Sequence, residues 1–262
     1  MHETTSEHKH VEVRFDYYRK QGGNVSKIAY LTIDDGPTEN TKGYVDYLNN
    51  RSIPAIMFFL GSNIDRYRNV AIYAVQHGMI IGNHSYSHPQ FSKLTLDEAV
   101  KEIRRQEALI NLIYAAARHA RKYKLFRFPY GDKGGANKGK LQEYLKSEGF
   151  MKIDPTGITH PSYYEYELDR DWDVFWTFDF GEYAIRDGAG GSNQSILSHT
   201  NVMNLWAGGS PADRFSAEII LIHDHAATEI RFPGYFSELL DHTMAMGVEF
   251  TMPRFVQGDM RT

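Results

Sequence analysis

Two adjacent carboxylates, Asp34 and Asp35, precede Gly36-Pro37, and two imidazoles four residues apart, His84 and His88, follow later in the chain. One carboxylate and two imidazoles supply three ligands to a Zn²⁺-like ion and leave positions open for water and substrate. The second carboxylate is then free to act as a base. Arg127, in the run Arg127-Phe128-Pro129-Tyr130-Gly131, adds a fixed positive charge, and His223, in His223-Asp224-His225, adds a candidate acid. Together they form a complete hydrolytic set. Taken singly, each has a plainer explanation. Asp before Gly-Pro makes an Asx-type turn, two His four apart can sit on a solvated helix turn, Arg127 can pair with a surface carboxylate, and His223 can be a packed core histidine. The conjunction favours the chemistry.

Such side chains need a scaffold, and the hydrophobic pattern supplies one. Ile28 to Ile33 and Ala55 to Leu60 are nearly unbroken apolar runs, as buried strands are. Met79 to Ile81, Leu125 to Phe128, Val174 to Phe178, Ile219 to Ile222 and Val248 to Thr251 read as further strands, giving about seven. Between them lie helix-like stretches: Thr41 to Asn50, Arg66 to His77 ending at Gly78, Gly139 to Ser147 and Tyr235 to Met246. The strongest helix spans Thr95 to about Tyr123. Thr95 and Glu98 make a capping box there, and Leu96, Ala99, Ile103, Ala108, Leu109 and Leu112 trace one face.

Alternating strands and helices without a composition break indicate one α/β domain. The reactive residues all fall just after strands, and loops that follow parallel strands share one face of the fold. The stretch from Ala184 to Ser216 is rich in Gly, Ser and Asn and has no strong period, a long loop of the kind that often carries function. The polar start, Met1 to His10, has no signal-peptide core, as in a cytoplasmic protein or in a mature form whose leader was removed.

A net charge of −4 excludes a strongly basic nucleic-acid binder, and with no cysteine any transition-metal site must use His, Asp and Glu. No run of about 20 apolar residues is present to span a membrane.

On these residues the chain resembles the polysaccharide deacetylases, which share the NodB homology domain and form carbohydrate esterase family 4. Thr32-Ile33-Asp34-Asp35-Gly36 is similar to the family's first motif, T-F-D-D-G, with Ile for Phe. His84-Ser85-Tyr86-Ser87-His88 fits H-[ST]-x-x-H, Arg127-Phe128-Pro129-Tyr130 resembles R-x-P-[YF], and Leu221-Ile222-His223 fits L-x-H. The fourth motif, D-x-x-D-W, is divergent. Asp179-Phe180-Gly181-Glu182-Tyr183 follows the strand around Trp176 and is preferred on position; Asp171-Trp172 is a literal match that precedes the strand.

The resemblance implies a distorted (β/α) barrel over residues 28–252, flanked by an N-terminal extension (1–27) and a C-terminal tail (253–262). It implies Asp35, His84 and His88 as ligands of Zn²⁺, or of Co²⁺, Ni²⁺ or Mn²⁺. Asp34 would be the general base, oriented by Arg127, and His223 the acid, with Glu182 as its partner. The backbone N–H of Tyr130 would stabilise the oxyanion, Leu221 would line the acetyl pocket, and Tyr183 and Trp176 would contact the sugar. The implied substrate is an N-acetylated glycan, a peptidoglycan or chitin-like polymer of N-acetylglucosamine. The sequence leaves the compartment open, and the same resemblance favours a secreted, periplasmic or cell-wall location. Alternatives are an O-acetyl xylan esterase of the same family and a non-catalytic glycan-binding member. A phosphatase built on the Asp pair would leave His84 and His88 unexplained.

Overall fold

The apolar runs become the staves of a curled parallel sheet. The computed structural model describes residues 27–158, 160–187, 195–205 and 217–257. In chain order they form β1 (Lys27–Asp34), α1 (Thr41–Asn50), β2 (Ala55–Phe59), α2 (Gly61–Arg66), α3 (Arg68–Gln76), β3 (Ile80–Asn83), α4 (Leu96–Ala117), α5 (Lys138–Ser147), β4 (Met151–Ile153) and α6 (Pro161–Glu165). There follow β5 (Phe178–Asp179), β6 (Glu218–His223), α7 (Ala226–Arg231), α8 (Tyr235–Ala245), β7 (Val248–Phe250) and β8 (Phe255–Gln257). Among the described residues no helix is long and apolar enough to cross a membrane.

The main sheet runs β3-β2-β1-β6-β5, with β7 added along the first residues of β1, and every pairing in it is parallel. Burial explains why these strands lack polar alternation. Along β2, Ala55, Met57 and Phe59 pack into one apolar cluster with helices α1, α3 and α8, while Ile56 and Phe58 point into a second cluster with Leu125 and Ile219. Both faces are covered, as parallel sheets require.

The expected seven-stranded barrel is realised only in part. The segment Leu125–Phe128 makes a single bridge, Asn83 to Phe126, and Val174 N–H donates to the Phe126 carbonyl at 2.8 Å. The sheet thus curls round through isolated hydrogen bonds, with six named strands in it. Regular pairing cannot continue past Phe128 because Pro129 has no N–H to offer. The Val174–Phe178 run is strand only at its end, in β5.

Other boundaries also moved. α4 does have its capping box at Thr95 and Glu98, but it stops at Ala117, where Arg118 takes a left-handed φ of 59°. Its buried face is Ala99, Ile103, Gln106, Ile110, Ile113 and Ala117, whereas Leu112 is 57% exposed. The helix expected over residues 66–77 is α3, Arg68–Gln76, and the short α2, Gly61–Arg66, precedes it unanticipated.

The presumed tail contributes β8, which pairs antiparallel with β4. The extension, apart from Lys27, lies outside the described residues. So do residues 188–194 and 206–216 of the expected long loop. Its described parts are short 3₁₀ turns that send Ile196, Val202 and Leu205 into the core.

Candidate active site

Because the strands are parallel, their C-terminal ends share one edge. Asp34 closes β1 and His223 closes β6, side by side in register. Asp35 follows β1, His84 and His88 follow β3, Arg127 and Tyr130 follow the Leu125–Phe128 segment, and Glu182 and Tyr183 follow β5.

Two neighbours in sequence, Asp34 and Asp35, have different main partners, although Asp34 Oδ2 also comes within 3.6 Å of His84 Nε2. Asp34 is 2% exposed and points into the curl of the sheet. There its Oδ1 accepts from Arg127 Nη1 at 2.8 Å. The guanidinium is fully buried. It also donates to Thr32 Oγ1 and to the Val174 carbonyl, both at 2.8 Å, and lies 4.5 Å over the Phe58 ring. Arg127 is therefore not a surface partner but a fixed cation beside Asp34. Asp35 has a left-handed backbone, φ 70°. Its Oδ1 lies 3.5 Å from His84 Nε2 and 3.2 Å from His88 Nε2.

Those three side chains could hold a metal ion, by geometry and by chemistry. Their ligand atoms all lie within 4.8 Å of one another. Asp35 Oδ1 is buried without a hydrogen-bond partner, which is costly unless something positive sits there. His84 Nδ1 lies 2.9 Å from the Arg127 carbonyl, which fixes the proton on Nδ1 and leaves Nε2 as the free electron pair. Burial, outweighing Asp35, pushes His88 down to about 4, so it is neutral as a ligand must be. Burial would raise the Asp35 carboxyl, but the hydrogen bond from His225 and the nearness of His84 hold it well below the usual range.

The loop carrying both histidines is tied down by β3 and α4. Asn83 Oδ1 accepts from Ser85 N–H at 2.8 Å, and Glu102 accepts from Tyr86 N–H at 3.0 Å and Ser87 N–H at 2.8 Å. Gly61 is required beside it, because a Cβ there would meet the Tyr86 ring at 2.4 Å. Asp35, Ser85, His88 and Tyr130 all have positive φ, four of the seven non-glycine residues so placed among the described residues. Such backbones cost about 1–3 kcal/mol each and cluster where function holds them.

On the far side of Asp34, His223 meets Glu182. Glu182 Oε1 accepts from His223 Nδ1 at 2.9 Å and from the His223 backbone N–H at 2.6 Å. Burial opposes the imidazolium, but Glu182 prevails and raises His223 to about 9. Asp179 also lies near, its carboxyl pushed up to about 6 by burial, and its Oδ1 is engaged by Gly181 N–H. Asp171 is elsewhere, paired with Lys133 at 2.7 Å and Lys138 at 3.1 Å.

Two tyrosines flank the site: Tyr130 edge-on to His88 and Tyr183 edge-on to His223. Trp176 stacks on Phe175 and lies 5.6 Å from the Arg127 guanidinium. Leu221, buried on β6, faces the same side of the strand as His223. Two contributors were not anticipated. Glu102 is one, and no spacing in the sequence marks it. His225 is the other: its Nε2 lies 2.6 Å from Asp35 Oδ2, and the alternation His223-x-His225 was the available signal.

The sequence profile of the polysaccharide deacetylases matches residues 21–151, which include Asp34, Asp35, His84, His88, Arg127 and Tyr130 but not Glu182 or His223. The chain is 36% identical to a peptidoglycan-N-acetylglucosamine deacetylase of Bacillus cereus over 110 residues, 42% of this chain and 38% of that protein. It is 35% identical to the peptidoglycan-N-acetylmuramic acid deacetylase PdaC of Bacillus subtilis over 129 residues, 49% of this chain and 24% of that protein. A chitin deacetylase of Amylomyces rouxii is 35% identical over 102 residues, 39% of this chain and 23% of its own. The matched segments thus span about a quarter to two fifths of these relatives. The solved structure of Bacillus subtilis PdaC superposes with a TM-score of 0.55 at 24% identity, covering 87% of this chain and 88% of that one. The chitin deacetylase of Colletotrichum lindemuthianum gives 0.58 at 18% identity, covering 86% of each. At these identities the structural likeness speaks for the fold.

Proposed function

This chain belongs to the polysaccharide deacetylase family, and from that premise we propose that it is a metal-dependent hydrolase that removes N-acetyl groups from a peptidoglycan or chitin-like polymer of N-acetylglucosamine. The observation that carries this reading is the division of labour between the two adjacent carboxylates. Asp35 lies against both His84 and His88, while Asp34, 3.6 Å from His84 Nε2 on one oxygen, is engaged on the other by the buried Arg127.

Asp35, His84 and His88 would hold the ion, Zn²⁺ first, with Co²⁺, Ni²⁺ or Mn²⁺ suiting the same donors. When bound, such an ion lowers the pKa of water and polarises a carbonyl oxygen. Asp34 takes the proton from the attacking water. Arg127 keeps Asp34 aimed through a fixed, buried guanidinium. The Tyr130 backbone N–H serves the oxyanion, where fixed dipoles contribute most. His223, kept protonated by Glu182, passes a proton to the leaving nitrogen as the C–N bond breaks, giving acetate and a free amine. Tyr130, Tyr183 and Trp176 offer ring faces to the sugar, and Leu221 borders the acetyl methyl. Glu182 and Tyr183 stand here for the family's fourth motif. A polymeric wall or chitin substrate puts the reaction outside the cytoplasm.

The test is a paired assay of acetate release from N-acetylglucosamine oligomers and from O-acetylated xylan oligomers by the metal-loaded protein. Release from the first and little from the second is expected. The reverse preference would make the protein an esterase, and no release from either would overturn the catalytic reading.

A further inference from the structure

We infer that His225 is a positioning residue that holds Asp35 so that only its Oδ1 is presented to the ion. The inference rests on the reading that Asp35, His84 and His88 bind a divalent metal. The two carboxylate oxygens of Asp35 have different surroundings. Oδ1 lies within reach of both ligand imidazoles and has no hydrogen-bond partner, whereas Oδ2 lies 2.6 Å from His225 Nε2. His225 does not join the ligand cluster itself, which comprises Asp35, His84 and His88.

The ring is well placed to act as a clamp. Its Nδ1 is buried with no partner, so its one side-chain hydrogen bond goes to Asp35. Its backbone N–H reaches the Tyr235 hydroxyl at 3.4 Å, and that hydroxyl in turn donates to the His223 carbonyl. The imidazoles of His225 and His223 stack with centroids 5.1 Å apart and planes 20° apart. Neighbouring histidines at the end of one strand are thus each committed to a carboxylate, His223 to Glu182 and His225 to Asp35.

Asp35 needs such a clamp. Its backbone sits at φ 70°, and its carbonyl is held separately by Asn63 Nδ2 at 2.7 Å. Without His225 the carboxylate is free to rotate about its own bond and offer both oxygens, which takes up a coordination position that water or a carbonyl requires. Partners in the outer shell of a metal site typically change affinity about 10–100-fold when removed.

The experiment titrates Zn²⁺ calorimetrically into metal-stripped protein and records the visible spectrum of the Co²⁺ form. His225→Phe keeps a flat ring and loses the N–H. His225→Gln keeps a donor near the Nε2 position. His225→Asn, too short to reach Asp35, substitutes for the Phe variant should that one not fold. A Zn²⁺ affinity weakened about 10–100-fold with an altered Co²⁺ spectrum is expected for Phe or Asn, with Gln close to wild type. Wild-type affinity and spectrum in the Phe or Asn variant would overturn the inference and leave the metal site standing, as would equal losses in Phe and Gln. A wild-type protein that binds neither Zn²⁺ nor Co²⁺ overturns the metal reading, and this inference with it.

Discussion

Asp34 and Asp35 share a peptide bond yet differ in their main partners, Arg127 for the one and His88 and His225 for the other. Asp34→Asn should keep the bound metal and lose turnover about 100-fold to 10,000-fold, the usual effect of removing a general base. Metal analysis and turnover on the same preparation check this; near wild-type turnover would return Asp34 to the status of a turn residue. Because Arg127 is fully buried beside it, Asp34→Ala should also destabilise the fold by about 3–5 kcal/mol, the cost of leaving a buried charge uncompensated. Denaturant unfolding measures that loss. At His223 the sign follows from Glu182. The imidazole is raised from 6.5 to about 9, so its protonated form and the stability of the pair are complete below about 6.5 and are lost as pH rises through about 9. Glu182→Gln removes the negative partner, and the high-pH limb of kcat should move to lower pH. A bound cation repels the imidazolium and lowers that limb in both proteins, so the difference between them is the readout; superimposable profiles would contradict the pairing. Asp34, Asp35, His84, His88, Arg127 and His223 were legible because their spacing is itself the pattern. Glu182 was legible from its place after a strand. Glu102 was not, because a helix carboxylate that caps a distant loop looks like any solvated Glu.

Elements explain why the site is stiff. α4 holds the His84–His88 loop through Glu102, and Gln106 on the same buried face donates to the Phe59 carbonyl at 2.7 Å. Glu102→Ala should therefore weaken Zn²⁺ binding about 10-fold, in the range of outer-shell losses, with helix content by circular dichroism unchanged. Unaltered affinity would mean that β3 alone fixes the loop. The start of α4 was readable from Thr95 and Glu98, since a capping box is a local sequence signal. Its end was not, because Arg118 adopts the left-handed conformation that Gly normally supplies. The apolar face was read in phase at Ala99 and Ile103 and one step out after them: Gln106 is buried through a hydrogen bond, and Leu112 is exposed although apolar. The stretch from residue 184 likewise hid core positions, since Ile196, Val202 and Leu205 are single apolar residues in polar surroundings.

For the whole molecule, parallel strands alternating with helices dictated that the reactive loops would meet at one edge, and that much followed from hydrophobic period alone. Pairings between distant segments did not. β8 joins β4 across the chain, and Phe255 packs against Tyr123 with ring centroids 4.6 Å apart. Deleting residues 253–262 should then cost about 2–3 kcal/mol in lost apolar burial, lowering Tm by about 4–12 °C; an unchanged melting curve would mean that β4 needs no partner. The central claim is that a divalent ion at Asp35, His84 and His88 drives deacetylation with Asp34 as base. It is tested most directly by acetate release from an N-acetylglucosamine oligomer before chelation, after it, and after adding back Zn²⁺ or Co²⁺. Release that stops on stripping and returns with the metal is the expected result. Release that persists undiminished in the fully stripped protein would contradict the claim.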